Sequence, residues 1–402
     1  MKKKRRVLLV LLVSATLVGS QTGCNRNSNK IETVVNKAER KYHLKGVYGH
    51  RPWKGGTGRK AMMMALAMKG IPMAQYHFSA STDGKSYGGV LVGGSPFDRP
   101  LKATTISAIV VPVKVSIGSA TFDPTAPDCR DPSVTALSRF RESPLANDVP
   151  NLTLNGVNVG SAQFGNGVRR AEFWKTIKGS PGYQNELKFF YADPFEVTAD
   201  AANGITDGGD CEQIGILNLP WLDAILQAKL PQILSSPGMP STAVVLFLLR
   251  NVQQCETFPP TPNGSCDLGY HWVADKTRQT YAVIEWDTSG RYADQGVSDA
   301  SIASHEIGEW MDDPLGTNPT PPWGGVAGDP RCYTNLEVGD PLSGTLMPPI
   351  TVNGRTYQMQ ELAFFSWYYN KDTDPSVGAG GKFSTNGTLS GPEKACPPGG
   401  TN

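Results

Sequence analysis

The chain has 402 residues, of which 18 % are charged, 44 are glycine and 31 are proline. This length is sufficient for a large hydrophobic core in one or two domains, and the glycine and proline content favours a loop-rich extracellular protein with strands over a helical bundle. The formal net charge is only +2, and no basic patch with interleaved aromatic residues is present, so nucleic acid is excluded as an expected partner.

The first 24 residues have the order of a secretory signal peptide. Five basic residues at 2–6 precede an apolar stretch at 7–18, and small residues then lead to Gly23 and Cys24. The apolar stretch is shorter than the roughly 20 residues of a transmembrane helix. A cysteine at this place is typical of a bacterial lipoprotein. We therefore predict a lipid on Cys24 that anchors an exported protein to the membrane of the bacterial cell envelope, with plain secretion as the alternative.

The remaining cysteines form an even set, as expected of disulfide bonds in an exported chain. They are Cys129, Cys211, Cys255, Cys266, Cys332 and Cys396. Cys255 and Cys266 bracket a loop that contains proline and glycine, so we predict that they form a local pair. The other pairings stay open. The chain lacks the CxxC spacing that would indicate a cysteine metal site.

Residues 25–70 are interpreted as a flexible tether or pro-segment, and residues 71–402 as one folded domain. Four segments of this domain have clear local patterns: a strand or strand pair over 103–117, a hairpin over 152–160, a helix over 219–234 and a central strand over 242–250. Pro112 lacks a backbone N–H, which predicts an edge or a bulge for the first of these strands. Asn155 and Gly156 are typical of a tight hairpin turn.

Residues 304–314 read Ser-His-Glu-Ile-Gly-Glu-Trp-Met-Asp-Asp-Pro. The pattern predicts a helix with Ser304 as its N-cap that Pro314 ends, because proline lacks a backbone N–H. Four polar side chains fall on or near one face of this helix at about 100° per residue: His305, Glu309, Asp312 and Asp313. The helix therefore carries an imidazole and several carboxylates on one face. Two strands, over 270–273 and 280–285, are predicted to precede it.

This segment differs by one residue from HExxH, in which two histidines hold zinc and the glutamate acts as a general base. Glu309 replaces the second histidine, which gives HExxE. A carboxylate oxygen reaches zinc at about the same distance as an imidazole nitrogen, so the ligand geometry survives the exchange. We predict His305 and Glu309 as metal ligands, and Glu306 as the general base toward a metal-bound water.

Such a site needs a third protein ligand from outside the helix. Glu337 or Asp340, in a downstream Leu-Glu-Val-Gly-Asp stretch, is predicted to supply it. Asp312 or Asp313 is predicted to hydrogen-bond a ligand and orient it. His271 is the candidate donor of a hydrogen bond to the transition state. The order of strands followed directly by this helix is that of a zincin, in which the motif helix packs on a sheet and faces a cleft.

Together these stretches resemble the plant EXORDIUM (phosphate-induced protein) family and its bacterial zincin-like relatives. The similar motifs are Ser-His-Glu-x-x-Glu-x-x-x-Asp-Pro at 304–314, a loop that contains Trp323, Glu-x-Gly-Asp at 337–340, the Cys-Asp-Leu-Gly-Tyr-His stretch at 266–271 and Gln-Tyr-His-Phe at 75–78. The chain departs from the family at Trp310 and Met311, where small residues are usual, and in its bacterial-style leader. The resemblance covers roughly residues 75–390. It implies a secreted zincin-like α+β domain, with a mixed sheet and many loops.

Two functions follow from these patterns. The first is a metal-dependent hydrolase, a zinc peptidase-like protein at the cell envelope with a peptide or protein substrate. The second is a non-catalytic envelope protein that retains a zincin scaffold with a structural metal or none. Calcium is the alternative ion because carboxylates outnumber histidines at the motif, but calcium prefers all-oxygen ligands and His305 fits such a site poorly.

Overall fold

The computed structural model describes residues 40–42, 44–48, 70–262, 264–274, 277–324, 332–369, 376–377 and 380–391. Over these residues the chain has an α+β fold around one large mixed sheet, which confirms the predicted class. The predicted signal peptide, Cys24 and Cys396 lie outside the described residues. No described helix is both long and apolar enough to cross a membrane.

The described helices and strands have the following bounds. The α-helices are α1 (Ala136–Glu142), α2 (Phe164–Glu172), α3 (Trp174–Ile177), α4 (Leu219–Leu234), α5 (Ser301–Asp312) and α6 (Phe365–Tyr368), and short 3-10 turns lie at Ala293–Gln295 and Asp340–Leu342. The strands are β1 (Lys45–Tyr48), β2 (Met73–Ser79), β3 (Ser86–Val92), β4 (Ala103–Ile117), β5 (Ala120–Phe122), β6 (Val149–Leu154), β7 (Val157–Ala162), β8 (Gln184–Tyr191), β9 (Phe195–Ala199), β10 (Gly204–Asp207), β11 (Ile214–Asn218), β12 (Val244–Arg250), β13 (Val252–Cys255), β14 (Ser265–Val273), β15 (Thr280–Trp286), β16 (Pro319–Trp323), β17 (Tyr333–Asn335), β18 (Ile350–Val352) and β19 (Arg355–Tyr357).

The large sheet has the strand order β10-β11-β13-β14-β15-β12-β4-β5, with β1 paired to β14 and with β8 and β9 paired to β4. Parallel and antiparallel pairs are mixed: β12 is parallel to both of its neighbours, whereas β14 and β15 are antiparallel. Two-stranded sheets form beside it from β2 with β3, β6 with β7, β16 with β17 and β18 with β19.

The strand β12 lies between two hydrophobic layers, as predicted for the most apolar run of the domain. All seven of its residues are buried. Val244, Leu246 and Leu248 belong to the core cluster that includes Ile307 of α5, whereas Val245, Phe247 and Leu249 belong to the cluster that includes leucines of α4. Successive side chains of a strand point to opposite faces, so α5 and α4 cover opposite faces of the sheet.

The strand over 103–117 is confirmed, but its proline does not lie at an edge. Pro112 pairs with Leu248 of β12. On the other side of β4, β8 pairs with residues 103–110 and β9 with residues 113–117. Pro112 therefore lies in the gap where the partner strand changes, and a residue without a backbone N–H is tolerated there.

The predicted hairpin over 152–160 is confirmed as part of β6 and β7. Asn155 has φ 46° and Gly156 has φ 76°. Positive φ at both central residues is the requirement of a type I′ turn, whose twist matches that of the strands. The helix predicted over 219–234 is confirmed with the same bounds.

Two disulfide bonds join described cysteines. Cys255 pairs with Cys266, as predicted from their spacing, and Cys129 pairs with Cys211, which the sequence leaves open. Cys332 also takes part in a disulfide bond. The bond between Cys255 and Cys266 joins the neighbouring strands β13 and β14 of the large sheet. The bond between Cys129 and Cys211 joins the loop before α1 to the loop before β11.

Part of the segment predicted as a tether is built into the sheet. The strand β1 runs parallel to β14 from Lys45 to Tyr48, and Leu44 is buried in the core cluster that contains Cys255 and Cys266. This differs from the tether interpretation because pairing with β14 gives these residues hydrogen-bond partners that no local sequence pattern indicates.

An N-terminal clamp, formed by Asp207 and Arg291, holds the residues before this strand. The Asp207 carboxylate accepts hydrogen bonds from the backbone N–H groups of Lys41 at 2.5 Å and Tyr42 at 3.1 Å. The Arg291 guanidinium pairs with Asp207 at 2.8 Å and donates to the carbonyl oxygen of Tyr42. Both clamp side chains are almost fully buried, so residues 40–42 and 44–48 behave as part of the domain.

The clamp predicts a large loss of stability on substitution. Asp207→Ala should lower the free energy of unfolding by about 3–5 kcal/mol, because it leaves the buried Arg291 charge without its partner. The matched control is Asp210→Ala, which removes a partly exposed pair with Arg40 and should cost about 1 kcal/mol or less. Urea unfolding followed by tryptophan fluorescence measures both variants, and equal losses would contradict the clamp.

Candidate metal centre

The motif helix α5 begins four residues earlier than the sequence predicts. Its N-cap is Ala300, and all twelve of its residues are buried. Ser304 lies inside the helix, where its hydroxyl donates to the carbonyl oxygen of Ser301 at 2.8 Å and accepts from the backbone N–H of Gln360 at 2.9 Å. The N-cap prediction for Ser304 is therefore wrong, because a tertiary contact uses its hydroxyl. The helix ends at Asp312, before Pro314, as predicted.

The helix brings His305 and Glu309 together at positions i and i+4. His305 Nε2 lies 3.0 Å from Glu309 Oε2 and 3.7 Å from Oδ1 of Asp340. The donor atoms of these three residues all lie within 4.8 Å of one another. Asp340 comes from the start of a 3-10 turn far along the chain, so a helix and a loop together form the first group of donors.

Gly339 fastens that loop to the helix. Its backbone N–H donates to Glu309 Oε1 at 3.1 Å, which leaves Oε2 facing His305. A Cβ at position 339 would lie 2.2 Å from Nδ1 of His305, so any residue other than glycine would clash with the imidazole. The carbonyl oxygen of Gly339 accepts from the Gln360 amide at 2.7 Å. The glycine of the Glu-x-Gly-Asp stretch thus places Asp340 beside the helix.

His271 reaches the same helix from β14, and its ring orientation is fixed. His271 Nε2 lies 3.1 Å from the carbonyl oxygen of Asp313. A carbonyl oxygen only accepts hydrogen bonds, so Nε2 carries the hydrogen and donates it. The other ring nitrogen, Nδ1, lies 3.6 Å from Oε2 of Glu306 and 3.6 Å from Oε2 of Glu309. These three residues form a second group of donors within 4.8 Å.

Glu306 is fully buried against the backbone of β14. A Cβ at Gly269 would lie 2.7 Å from Oε1 of Glu306, so a glycine in the strand makes room for this carboxylate. Neither carboxylate oxygen accepts a hydrogen bond from any residue that the structure describes. A buried carboxylate without hydrogen bonds is costly, so Glu306 requires a positively charged neighbour or a proton.

The charges of the site are strongly coupled. Burial acts to lower the pKa of His305, but Glu309 and Glu306 outweigh it and raise the pKa to about 9. Burial likewise opposes a charged His271, yet Glu306 and Glu309 raise its pKa well above the ordinary value. In turn, burial would raise the pKa of Glu309, but His305 and His271 hold it below its ordinary value. A cation bound here would therefore compete with protons on both imidazoles.

The structure places Glu337 and Asp340 differently. Asp340 belongs to the first donor group. Glu337 is buried nearby, and its Oε1 accepts a hydrogen bond from the Asn335 amide at 2.6 Å. Burial, followed by the charge of Glu309, raises the pKa of Glu337 well above its ordinary value. Of the two predicted third ligands, Asp340 is the one that the structure brings to His305 and Glu309.

Asp313 contacts a site residue through its backbone, whereas the Asp312 side chain contacts Arg169 of α2. The Asp313 carbonyl oxygen accepts from His271, and its carboxylate accepts from the backbone N–H groups of Thr317 and Asn318 at 2.9 and 2.7 Å. Asp312 instead pairs with Arg169 at 2.5 Å. The backbone of Asp313 therefore contacts His271, which the sequence predicts as a catalytic residue and not as a metal ligand, and the Asp312 side chain contacts Arg169.

Arg169 is a site-supporting residue that sequence reasoning misses. It lies in α2, almost fully buried, and donates to the carbonyl oxygen of Met311 at 2.5 Å while it pairs with Asp312. Glu172 lies 3.8 Å from the same guanidinium. A helix C-terminus attracts cations, so Arg169 holds the end of the motif helix in place. Its position in an amphipathic segment gives no signal of this contact.

The predicted ligands and catalytic residues are all buried, with exposed fractions of 6 % or less. The six residues are His271, His305, Glu306, Glu309, Glu337 and Asp340. The arrangement offers imidazole nitrogens and carboxylate oxygens to one region of the interior, a donor set that suits a divalent transition metal. The chain matches no protein-family model, no curated protein and no solved structure. Its function is therefore proposed from this geometry.

Proposed function

We propose that the protein is an exported metal-dependent hydrolase of the zincin type that cleaves peptides or proteins. The observation that carries this proposal is the convergence of His305, Glu309 and Asp340, with Glu306 one residue after the first ligand. The motif helix packs against β14 and β15 of a mixed sheet. A helix with this spacing of ligands on a sheet supports the zincin interpretation and the relation to the EXORDIUM family.

Zinc is the proposed ion. The first donor group has one imidazole nitrogen and two carboxylates; zinc binds both kinds of donor, and its catalytic sites have three protein ligands. Two donors of one tetrahedral zinc ion lie about 3.3 Å apart, because the bonds are about 2.0–2.1 Å long. The distances of 3.0 and 3.7 Å from His305 Nε2 to Glu309 and Asp340 bracket this value. Calcium would need six to eight oxygen ligands and fits an imidazole poorly.

The chain supplies the other groups that hydrolysis needs. Zinc at this position would polarise a carbonyl group and make water more acidic. Glu306 would accept the proton of that water, because its buried carboxylate accepts no hydrogen bond from the described residues and its Oε2 lies 3.6 Å from Nδ1 of His271. His271 would donate a hydrogen bond or a proton to the developing negative charge from Nδ1 when it is protonated. Asp313 would keep the ring of His271 in its orientation.

Export is part of the same proposal. From the leader pattern of residues 1–24, we propose that Cys24 carries a lipid and that the protein lies at the bacterial cell envelope. The bonds between Cys129 and Cys211 and between Cys255 and Cys266 support it, because disulfides persist in oxidising compartments and are rare in the cytosol.

One observation favours a second function, a non-catalytic protein with a structural metal. Structural zinc sites are closed, whereas catalytic sites keep one position open to water or substrate. His305 and Glu306 are fully buried in this structure. In the second function the ion would join α5 to the loop at Asp340 and stabilise the fold, and no substrate would be turned over.

Metal removal distinguishes these functions. The hydrolase should cleave fluorescently labelled casein when loaded with zinc, lose the activity after treatment with a chelator, and regain it when zinc is returned. A protein that binds zinc and melts at a lower temperature after chelation, but never cleaves casein, would support the structural role and contradict the hydrolase.

A further inference from the structure

The site contains two groups of donors that share one carboxylate. The first is His305, Glu309 and Asp340, and the second is His271, Glu306 and Glu309. We propose that the second group binds a second divalent cation, so that Glu309 bridges two ions. This inference rests on the proposed function for the first position and adds a new metal site beside it.

The orientation of His271 supports a ligand role. Its Nε2 hydrogen is used by the carbonyl oxygen of Asp313, at 3.1 Å. In the neutral ring the lone pair of Nδ1 is therefore directed to Glu306 and Glu309. A histidine that binds a metal through one nitrogen commonly donates its other N–H to a backbone carbonyl. His271 has this arrangement with the carbonyl oxygen of Asp313.

Glu306 provides an independent observation. Its side chain is fully buried, and neither of its oxygens accepts a hydrogen bond from the residues that the structure describes. Its Oε2 is directed to His271. A buried carboxylate that lacks hydrogen bonds and faces an imidazole nitrogen is stabilised by a positive charge, which either a proton on the imidazole or a metal ion supplies.

The distances favour a metal ion over a proton as that positive charge. His271 Nδ1 lies 3.6 Å from both carboxylate oxygens, whereas a charge-assisted hydrogen bond has a length of about 2.7–2.9 Å. Two ligands of a zinc ion lie about 3.3 Å apart. Nδ1 is also equally distant from Glu306 and Glu309, as expected of three ligands around a common centre.

The bridge follows from the contacts of Glu309. The backbone N–H of Gly339 donates a hydrogen bond to Oε1 of Glu309. The other oxygen, Oε2, faces both histidines and lies 3.0 Å from Nε2 of His305 and 3.6 Å from Nδ1 of His271. A divalent ion at the first position meets the negative charges of Glu309 and Asp340. The carboxylate of Glu306 adds another negative charge that a second cation would balance.

The two metal counts assign different roles to Glu306. With one ion, Glu306 is the base of the proposed hydrolase and does not bind metal. With two ions, Glu306 and Nδ1 of His271 are ligands of the second ion, so Glu306 is then not the base and His271 is then not the donor to the transition state. Glu306→Gln therefore leaves the metal content unchanged in the first case and lowers it by one ion per chain in the second.

Zinc titration of the purified protein by calorimetry tests this inference. Wild type should bind two zinc ions per chain, and His271→Ala and Glu306→Gln should each bind one. The control His77→Ala changes an exposed histidine of β2 and should still bind two. X-ray absorption at the zinc edge of wild type, which needs no variant, should show a second zinc at about 3.5–4 Å.

The outcomes separate this inference from the proposed function. One zinc in wild type at saturation, with no zinc–zinc distance, would overturn the second site and leave the first one standing. Two zinc ions that persist in His271→Ala would overturn the assignment to His271. No zinc in wild type would overturn both proposals.

Discussion

His305→Ala is expected to lower the thermal unfolding midpoint of the zinc-loaded protein by about 8 °C. Free zinc held 1,000-fold above its dissociation constant stabilises a protein by about 4 kcal/mol, and a large domain loses about 2 °C for each kcal/mol. His305 is fully buried between Glu309 and Asp340, so no neighbouring donor in this first group replaces its imidazole. Differential scanning calorimetry with and without added zinc measures the effect.

The controls separate loss of metal from loss of packing. His77→Ala makes the same change at an exposed residue and should melt like wild type. A chelator should lower the midpoint of wild type and have a smaller effect on His305→Ala, because the variant has already lost the ion of the first position. If zinc stabilised wild type and His305→Ala equally, His305 would be excluded as a ligand.

Glu306→Gln is expected to reduce the turnover of labelled casein by about 100-fold to 10,000-fold, the range of general-base contributions. Glutamine keeps the size of the side chain but does not accept a proton. Its amide fits the space beside Gly269, so the fold should be retained. Initial rates of zinc-loaded wild type and variant measure the loss, and the ion held by His305 should remain bound.

The matched control is Glu186→Gln, which makes the same exchange at an exposed residue of β8 and should keep full activity. Cleavage by Glu306→Gln at the wild-type rate would contradict the role of Glu306 in hydrolysis. Wild-type protein that holds zinc and never cleaves casein would favour the structural metal.

The elements that the sequence predicts well carry their signals locally. The apolar run of β12 predicts a buried strand, and the helical spacing of apolar residues in α4 predicts a helix. Each prediction needs only the residues of that segment. Asn155 and Gly156 define a turn because only residues that tolerate positive φ fit it. Cys255 and Cys266 are eleven residues apart, so their pairing follows from the short loop between them.

The features that the sequence does not reveal depend on distant contacts. Ser304 is a reasonable N-cap by type, yet Gln360 uses its hydroxyl. Glu337 and Asp340 are equivalent as sequence candidates, and the structure distinguishes them by placing Oδ1 of Asp340 3.7 Å from Nε2 of His305. The role of Arg169 also cannot be predicted from local sequence, because its partner Asp312 lies far along the chain. Long-range packing decided each of these.

The most direct test of the metal centre is the zinc content of the purified protein, measured by elemental analysis beside that of His305→Ala. We predict at least one zinc ion per chain in wild type and one fewer in the variant, since His305 is a ligand of the first position. Wild-type protein that holds no zinc, even after zinc is added and the excess removed, would contradict the metal centre and the hydrolase mechanism with it.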